Sequence, residues 1–428
     1  MNAGSADSIA ASINSSGPYF RRENATVFLG LIEKYQNAFH PDDLPERANS
    51  YRLDMRNFIA IAAGLALLGA PLTARQASRT PVGPAALGWA VDRADLAGNV
   101  KFEPAFGRAD AMVLRSNTHV VKTGLDFGDG TIEFDLAPTA EGHFTGITFR
   151  RQSFTNHENI YVRFHRSGDF MAMQYAPRVN GSSTWQLYPE FANAVEWPRE
   201  RWTPVRIEVR GSKMDVFVGG GQQPVISVPR LRNGTTNGEI GFWARVNDKP
   251  QEWAAAISNL RITPAPARAP LGAAANAPVQ FVWNWQVSEP VIAEGKVLGL
   301  PAAVSKWTAA RAEESGLVNI NRLFPVQKGR SVIFAKHTLR SNAARRVLAG
   351  IGYSDDVTLF VNGEPIFAGI NGWDSRTPAL NSFVDARWES AFLPLREGDN
   401  EIVLAVADDQ RFGWGFALRI EDATGLKF

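Results

Sequence analysis

Glu133 and Asp135 stand two residues apart in Thr131-Ile-Glu-Phe-Asp-Leu136. In a β-strand that spacing puts both carboxylates on one face, with Ile132, Phe134 and Leu136 on the other. Retaining glycoside hydrolysis needs two carboxylates about 5–5.5 Å apart, one as nucleophile and one as acid/base. The same pattern also describes two solvated carboxylates on the outer face of a strand. A second candidate is the run "TNHENIYVRFHRSGD". It holds His157, Glu158, Arg163, His165 and Asp169, the densest polar cluster of the chain, and His143 lies nearby in sequence. His157 with Glu158 could supply a base or metal ligands, so both join the catalytic candidates. Neighbours on a strand point to opposite faces, however, and no known zinc spacing is met; any metal site is left unassigned. The third candidate is the set of loop aromatics Tyr175, Trp185, Tyr188, Trp197 and Trp202. Sugars present apolar C–H faces, so aromatic rings beside amides and acids make glycan sites. Tyr175, Asn180, Trp185, Tyr188 and Glu190 are the expected ligand-binding residues. Trp202 and Trp243 are expected in the core, and so is Trp414.

Near the C-terminal end, Asn371-Gly-Trp-Asp-Ser-Arg376 and Asp408-Asp-Gln-Arg411 read as polar loops. Asp355 and Asp356 could help hold a structural calcium, which takes carboxylate and carbonyl oxygens. No other cofactor is implied. Gly219–Gly221 is a hairpin turn and not a phosphate loop, since no Lys-Ser/Thr and no helix follow. No serine sits in a nucleophile-elbow sequence. The chain has no cysteine, which excludes disulfides, thiolate metal sites and cysteine nucleophiles. It carries 45 basic and 43 acidic residues without a long basic tract, so a nucleic-acid groove is not expected.

These residues must be positioned by strands. Gly (37) and Pro (25) are frequent and no long amphipathic helix stands out, which favours β structure with many turns. Short alternating runs recur at Phe144–Phe149, Asn159–Phe164, Pro204–Val209 and Met214–Val218, separated by Gly-, Asp- and Asn-rich turns. About a dozen strands with one apolar face each imply packed antiparallel sheets. The expected fold is all-β: two antiparallel β-sandwich (jelly-roll) domains behind an N-terminal signal segment. The boundaries are 1–54, a disordered extension or mis-assigned start; 55–77, a signal peptide; 78–88, a linker; 89–264, the first sandwich; 265–278, a Pro/Ala spacer; and 279–428, the second sandwich.

The order "FGDGTIEFDLAP", "GITFRRQSFTNHENIYVRFHRSGD", "STWQLYPEF", "RWTPVRIEVRGSKMDVFVG" and "NGEIGFWARV" resembles a concanavalin A-like jelly roll of the laminin G-like and 3-keto-disaccharide hydrolase type. The family 16 glycoside hydrolases of that fold use a Glu-x-Asp-x-x-Glu strand. Glu133-Phe-Asp135-Leu-Ala-Pro138 is similar, but proline stands where the second catalytic glutamate belongs. "VTLFVNGEPI", "LREGDNEIVLAV" and "GWGFALRI" are similar to galactose-binding-like sandwiches, a fold that hosts many binding roles. Together these resemblances imply a carbohydrate-binding protein accessory to polysaccharide or glycoside breakdown. They leave open a glycoside hydrolase, including a 3-keto-glycoside hydrolase, with its site on the concave face of the first sandwich. A structural cell-surface adhesion module is the third reading.

"MRNFIAIAAGLALLGAPLTARQA" (55–77) has the positive residue, apolar run and small-residue end of a bacterial secretion signal. The uncharged segment Phe58–Ala70 suits a signal h-region better than a span of about 20 residues. The expected location is periplasmic or extracellular, with no stable membrane anchor after cleavage, and carbohydrate is the expected partner. The native protein should therefore begin after Ala74 or Ala77 when its N-terminus is sequenced, and peptides from residues 1–54 should be missing from its digest.

Overall fold

The computed structural model describes residues 79–269, 280–301, 304, 306–373, 375 and 382–428. The signal segment, the preceding residues 1–54 and most of the Pro/Ala spacer lie outside the described residues. The architecture is all-β, with five short 3-10 helices among the described residues. Four antiparallel sheets carry it: an eight-stranded and a seven-stranded sheet in the first half, an eight-stranded and a four-stranded sheet in the second.

Alternation sets the faces. Strand Thr203–Arg210 buries Val205, Ile207 and Val209 and turns Arg206 and Glu208 outward. Strand Asp129–Pro138 pairs with it and with Trp253–Ala265, burying Ile132, Phe134 and Leu136 while Glu133 and Asp135 face out. The two sheets of the first half close over a core that includes Phe149, Tyr175, Trp197 and Phe242. The second half closes over Trp285, Tyr353, Trp414 and Phe416, and the Trp285 and Phe416 rings meet edge to face with centroids 5.0 Å apart. The first sandwich starts earlier than its sequence suggests. Strand Thr80–Val82 pairs with Trp89–Val91 and turns part of the expected linker into a sheet edge.

A buried ion pair ties the two sheets of the first sandwich together. Arg150 donates to Asp129 at 2.8 Å, to Gly211 O at 2.7 Å and to Gly128 O at 3.1 Å. Asp129 also accepts from the backbone N–H groups of Gly211 and Arg268. Each nitrogen of the guanidinium and each oxygen of the carboxylate has at least one partner, which is the condition for tolerating a charge in a core.

The described residues of the two sandwiches share one compact unit. A segment leaving the first core runs directly against the second. Asn180 donates to Asn321 O at 2.8 Å and its own carbonyl accepts from Val326 N at 3.0 Å. Gln186 exchanges backbone bonds with Phe412 and Val384. Its side chain donates to Asn371 O (3.3 Å) and Ser382 O (3.0 Å) and accepts from Ser354 Oγ (3.0 Å). Arg232 pairs with Glu313 and Glu314, and Arg322 donates to Glu313 at 2.8 Å. Leu317 and Val384, from the second half, pack into the core of the first.

Gln186 is fully buried, so losing its side chain removes three hydrogen bonds where water does not reach. Gln186→Ala should lower unfolding free energy by about 2–4 kcal/mol in urea titration.

Candidate functional site

Glu133 sits on the middle of its strand with an arginine opposite on each side, Arg206 on one neighbour and Arg261 on the other. The Arg261 guanidinium lies 3.7 Å from the Glu133 carboxylate. Two residues along, Asp135 accepts from Arg108 and from Asn259 Nδ2, the latter at 2.7 Å. The next hairpin bends over this row. Its turn uses Gly219 and Gly220, both with positive φ (66° and 76°), where a side chain would be strained. Phe217 on the hairpin carries the Arg206 guanidinium 4.0 Å above its ring centroid.

Together these groups frame a recess of about 160 Å³. Glu133, Arg206, Asn259, Arg261 and Gln222 supply its polar wall, and Phe217 its apolar one. Glu133 and Asp135 are its carboxylates, and neither is fully buried. Asp135 is already engaged by an arginine and an amide, and Pro138 occupies the third motif position and faces the interior.

His157 and Glu158 lie on the other sheet of the first sandwich, on strand Asn156–Arg163, so the structure does not bring them to Glu133. Both are buried. His157 Nδ1 lies 3.1 Å from Ser153 O, so that nitrogen carries the proton. Burial lowers its pKa to about 3. Glu158 turns into the core, where it accepts from Tyr175 OH at 2.6 Å and from Asn233 N at 3.2 Å. Burial raises its pKa to about 7, against the opposing pull of those bonds and of Arg150. Neither residue lines the recess. The rest of the polar cluster holds its own loop: Arg163 donates to Met171 O, Asp169 accepts from Met171 N, and His165 bonds to His143 O.

The expected glycan residues need correction in placement. Tyr175 and Tyr188 are fully buried. The Tyr175 hydroxyl donates to Glu158 and accepts from Arg232 N. The Tyr188 hydroxyl donates to Glu313 at 3.1 Å and accepts from Asn319 at 3.0 Å. Asn180 is spent on Asn321 and Val326. Trp185 is half-buried against Phe383 and Phe412 of the second half. Only Glu190, in the 3-10 turn Pro189–Phe191, is exposed. These side chains form the seam between sandwiches and not an open groove. Trp197 is likewise buried, while Trp202 and Trp243, expected in the core, are half-buried. Trp202 packs with Phe106 and Arg108 on an outer patch, and Trp243 donates to Asn159.

Among the described residues no group of three or more His, Asp or Glu could hold a metal ion. Asp355 and Asp356, expected as calcium ligands, are otherwise engaged. Asp355 accepts from the backbone N–H groups of Asp409 and Gln410 at 2.8 Å each, and Asp356 pairs with Arg330. No helix among the described residues is long and apolar enough to cross a membrane.

Arg206, Arg261, Asn259, Phe217 and Gln222 are the recess residues that sequence reasoning missed. Outward alternation marks Arg206 on its strand, but which side chains stand opposite Glu133 depends on register.

No family model matches the chain, and no curated protein matches its sequence. Solved structures similar to part of it include the carbohydrate binding module CBM66 from Bacillus subtilis, at 13% identity, 41% of this chain, 95% of that one and TM-score 0.30. The Bacillus licheniformis beta-glucanase aligns at 14% identity, 40% of this chain, 84% of that one and TM-score 0.29. A prokaryotic beta-1,3-1,4-glucanase (lichenase) derived from a mouse hindgut metagenome aligns at 11% identity, 40% of this chain, 85% of that one and TM-score 0.29.

His157 and Glu158 pull stability in opposite directions with pH. Folding depresses the His157 pKa from 6.5 to about 3, so its contribution grows as pH rises from 3 to 6.5. Folding raises the Glu158 pKa from 4.5 to about 7, so its contribution shrinks as pH rises from 4.5 to 7. Relative to wild type, Glu158→Gln should therefore gain stability as pH rises from 4.5 to 7. His157→Gln should lose it as pH rises from 3 to 6.5. Urea midpoints measured across pH 3–8 check both signs.

Proposed function

We propose that this chain binds carbohydrate, and that it does so at the recess beside Glu133. The observation that carries the reading is the convergence there of two carboxylates, two guanidiniums, two amides and one aromatic side chain. The recess is about 160 Å³, on a rigid sheet face. Sugar hydroxyls are at once donors and acceptors, so a wall that alternates Glu133 with Arg206, Arg261 and Asn259 can answer both. Phe217 offers apolar surface for a C–H face. Polar groups held by paired strands are already oriented, which lowers the entropy cost of binding.

Binding fits this site better than cleavage. Glycosidic cleavage needs a protonated acid beside a second carboxylate with a free face. Asp135 is held by Arg108 and Asn259, and Glu158, one of several carboxyls whose pKa burial raises, points into the core away from the recess. We further propose that the protein works in the periplasm or outside the cell, delivered by segment 55–77. Its two sandwiches would serve as an accessory to polysaccharide or glycoside breakdown.

The test is a panel of neutral oligosaccharides and 3-keto-glycosides offered to the full chain, following retention and product release together. Retention without products is expected. Glu133→Gln and Arg206→Ala should each weaken it about tenfold, the size of one lost charge-assisted hydrogen bond. Product release that disappears in Glu133→Gln would replace the binding reading with an enzyme.

A further inference from the structure

The outer face of the eight-stranded sheet in the second sandwich is divided in two. One part is apolar: Val332, Phe334, Phe360, Val403, Ala405 and Ala407 form a small second core. The chain that follows strand Val291–Ile292 of that sheet folds back over it, seating Ala293, Val297 and Leu300 on the patch. The other part is polar and is left open. There Asn284 and Gln286 from strand Asn284–Ser288, Arg311 from Trp307–Arg311, Lys336 and Thr338 from Ser331–Ser341, and Glu401 from Gly398–Asp408 line a cleft of about 630 Å³. That volume lies within the usual range of ligand sites.

The cleft has a structural cause. Strands Asn284–Ser288 and Ser331–Ser341 pair only at Gln286↔Lys336 and Val287↔Ala335, then part. Trp285 and His337 line the gap, and His337 Nδ1, 2.8 Å from Asn284 O, bridges it. The polar residues belong to four neighbouring strands, with Asn284 opposite Arg311, Gln286 opposite Lys336, and Thr338 opposite Glu401. Three strand spacings make the row about 14 Å long.

Its charge is uneven. Arg311 and Lys336 are cationic and Glu401 is the only acid in the lining. Lys336 has no carboxylate partner among the described residues. Its Nζ is held 4.1 Å from the Trp307 ring centroid, a contact that fixes the cation without neutralising it. Arg311 keeps Asn284 Oδ1 at 3.4 Å. Such a row combines fixed positive charge, two amides and a hydroxyl, with one carboxylate at the far edge.

We propose that this cleft is a second binding site, for an acidic oligosaccharide of the uronic-acid class. Lys336 takes a sugar carboxylate, a charge-assisted contact that a neutral glycan lacks. Asn284, Gln286 and Thr338 meet the ring hydroxyls, and Glu401 accepts hydroxyl protons from a neighbouring ring. The site is independent of the Glu133 recess and does not rest on it.

The probe is trigalacturonic acid, titrated calorimetrically into the full chain at low and at physiological salt, with neutral galactotriose alongside. The acid should bind, and more weakly as salt rises. Lys336→Ala should weaken it at least tenfold, and Gln286→Ala should weaken it less. Arg93→Ala, which removes an exposed charge on the first sandwich, should leave it unchanged. Circular dichroism and urea midpoints verify that each variant is folded. The proposal is overturned if folded wild type does not bind trigalacturonate. It is also overturned if Lys336→Ala weakens galactotriose as much as it weakens the acid, or if Lys336→Ala and Gln286→Ala both bind trigalacturonate like wild type. None of these outcomes bears on the retention of neutral sugars by the recess, which is lost through Glu133 and Arg206.

Discussion

The structure depends on one set of interactions: the hydrogen bonds and ion pairs that join polar groups buried between the two sandwiches. Gln186 shows it most directly. A lone amide answers the carbonyls of Asn371 and Ser382 and accepts a serine hydroxyl, while its own backbone is paired on both sides. A buried amide left without these partners would cost about 1–3 kcal/mol for each unmet group, so the seam tolerates only one registration of the halves. Arg232, Glu313, Glu314 and Arg322 extend the same logic to charge. Once these bonds are made, the surfaces that stay open are sheet faces, and that is where both recesses lie.

The sheet faces differ in how they were left open. On the first sandwich the hairpin with Gly219 and Gly220 leans over a row of charged side chains, and the recess is the space beneath it. On the second, two strands part company and a crossover segment covers the apolar half of the face alone. Each recess thus arises from an irregularity in an otherwise regular sheet, where backbone pairing stops dictating what fills the surface.

Much of the fold was legible because strand alternation is a local signal. The inward row Ile132, Phe134, Leu136 and the outward pair Glu133, Asp135 follow from period two alone. The seam was not legible. Tyr175, Tyr188 and Trp185 carry the aromatic and polar mixture that also makes a sugar site, and composition does not distinguish a surface for glycan from one for another part of the same chain. What decides is distant: the partners of the Tyr188 hydroxyl, Glu313 and Asn319, stand more than a hundred residues downstream. The same holds for Glu158. A histidine followed by a glutamate reads as chemistry, but adjacency on a strand sends one to each face, and the acid ends in the core bonded to Tyr175. The recess itself was half legible, since Glu133 and Asp135 could be placed but their arginine neighbours required the register of three strands.

Leu317 and Val384 belong by sequence to the second half yet pack in the core of the first. A chain of this length with two separable cores would be expected to melt in two steps. Here, withdrawing the second sandwich would pull two side chains out of the first core and strip Gln186 and Tyr188 of their partners. The two halves are therefore thermodynamically coupled, and their cooperativity resides in the seam rather than in either sheet pair.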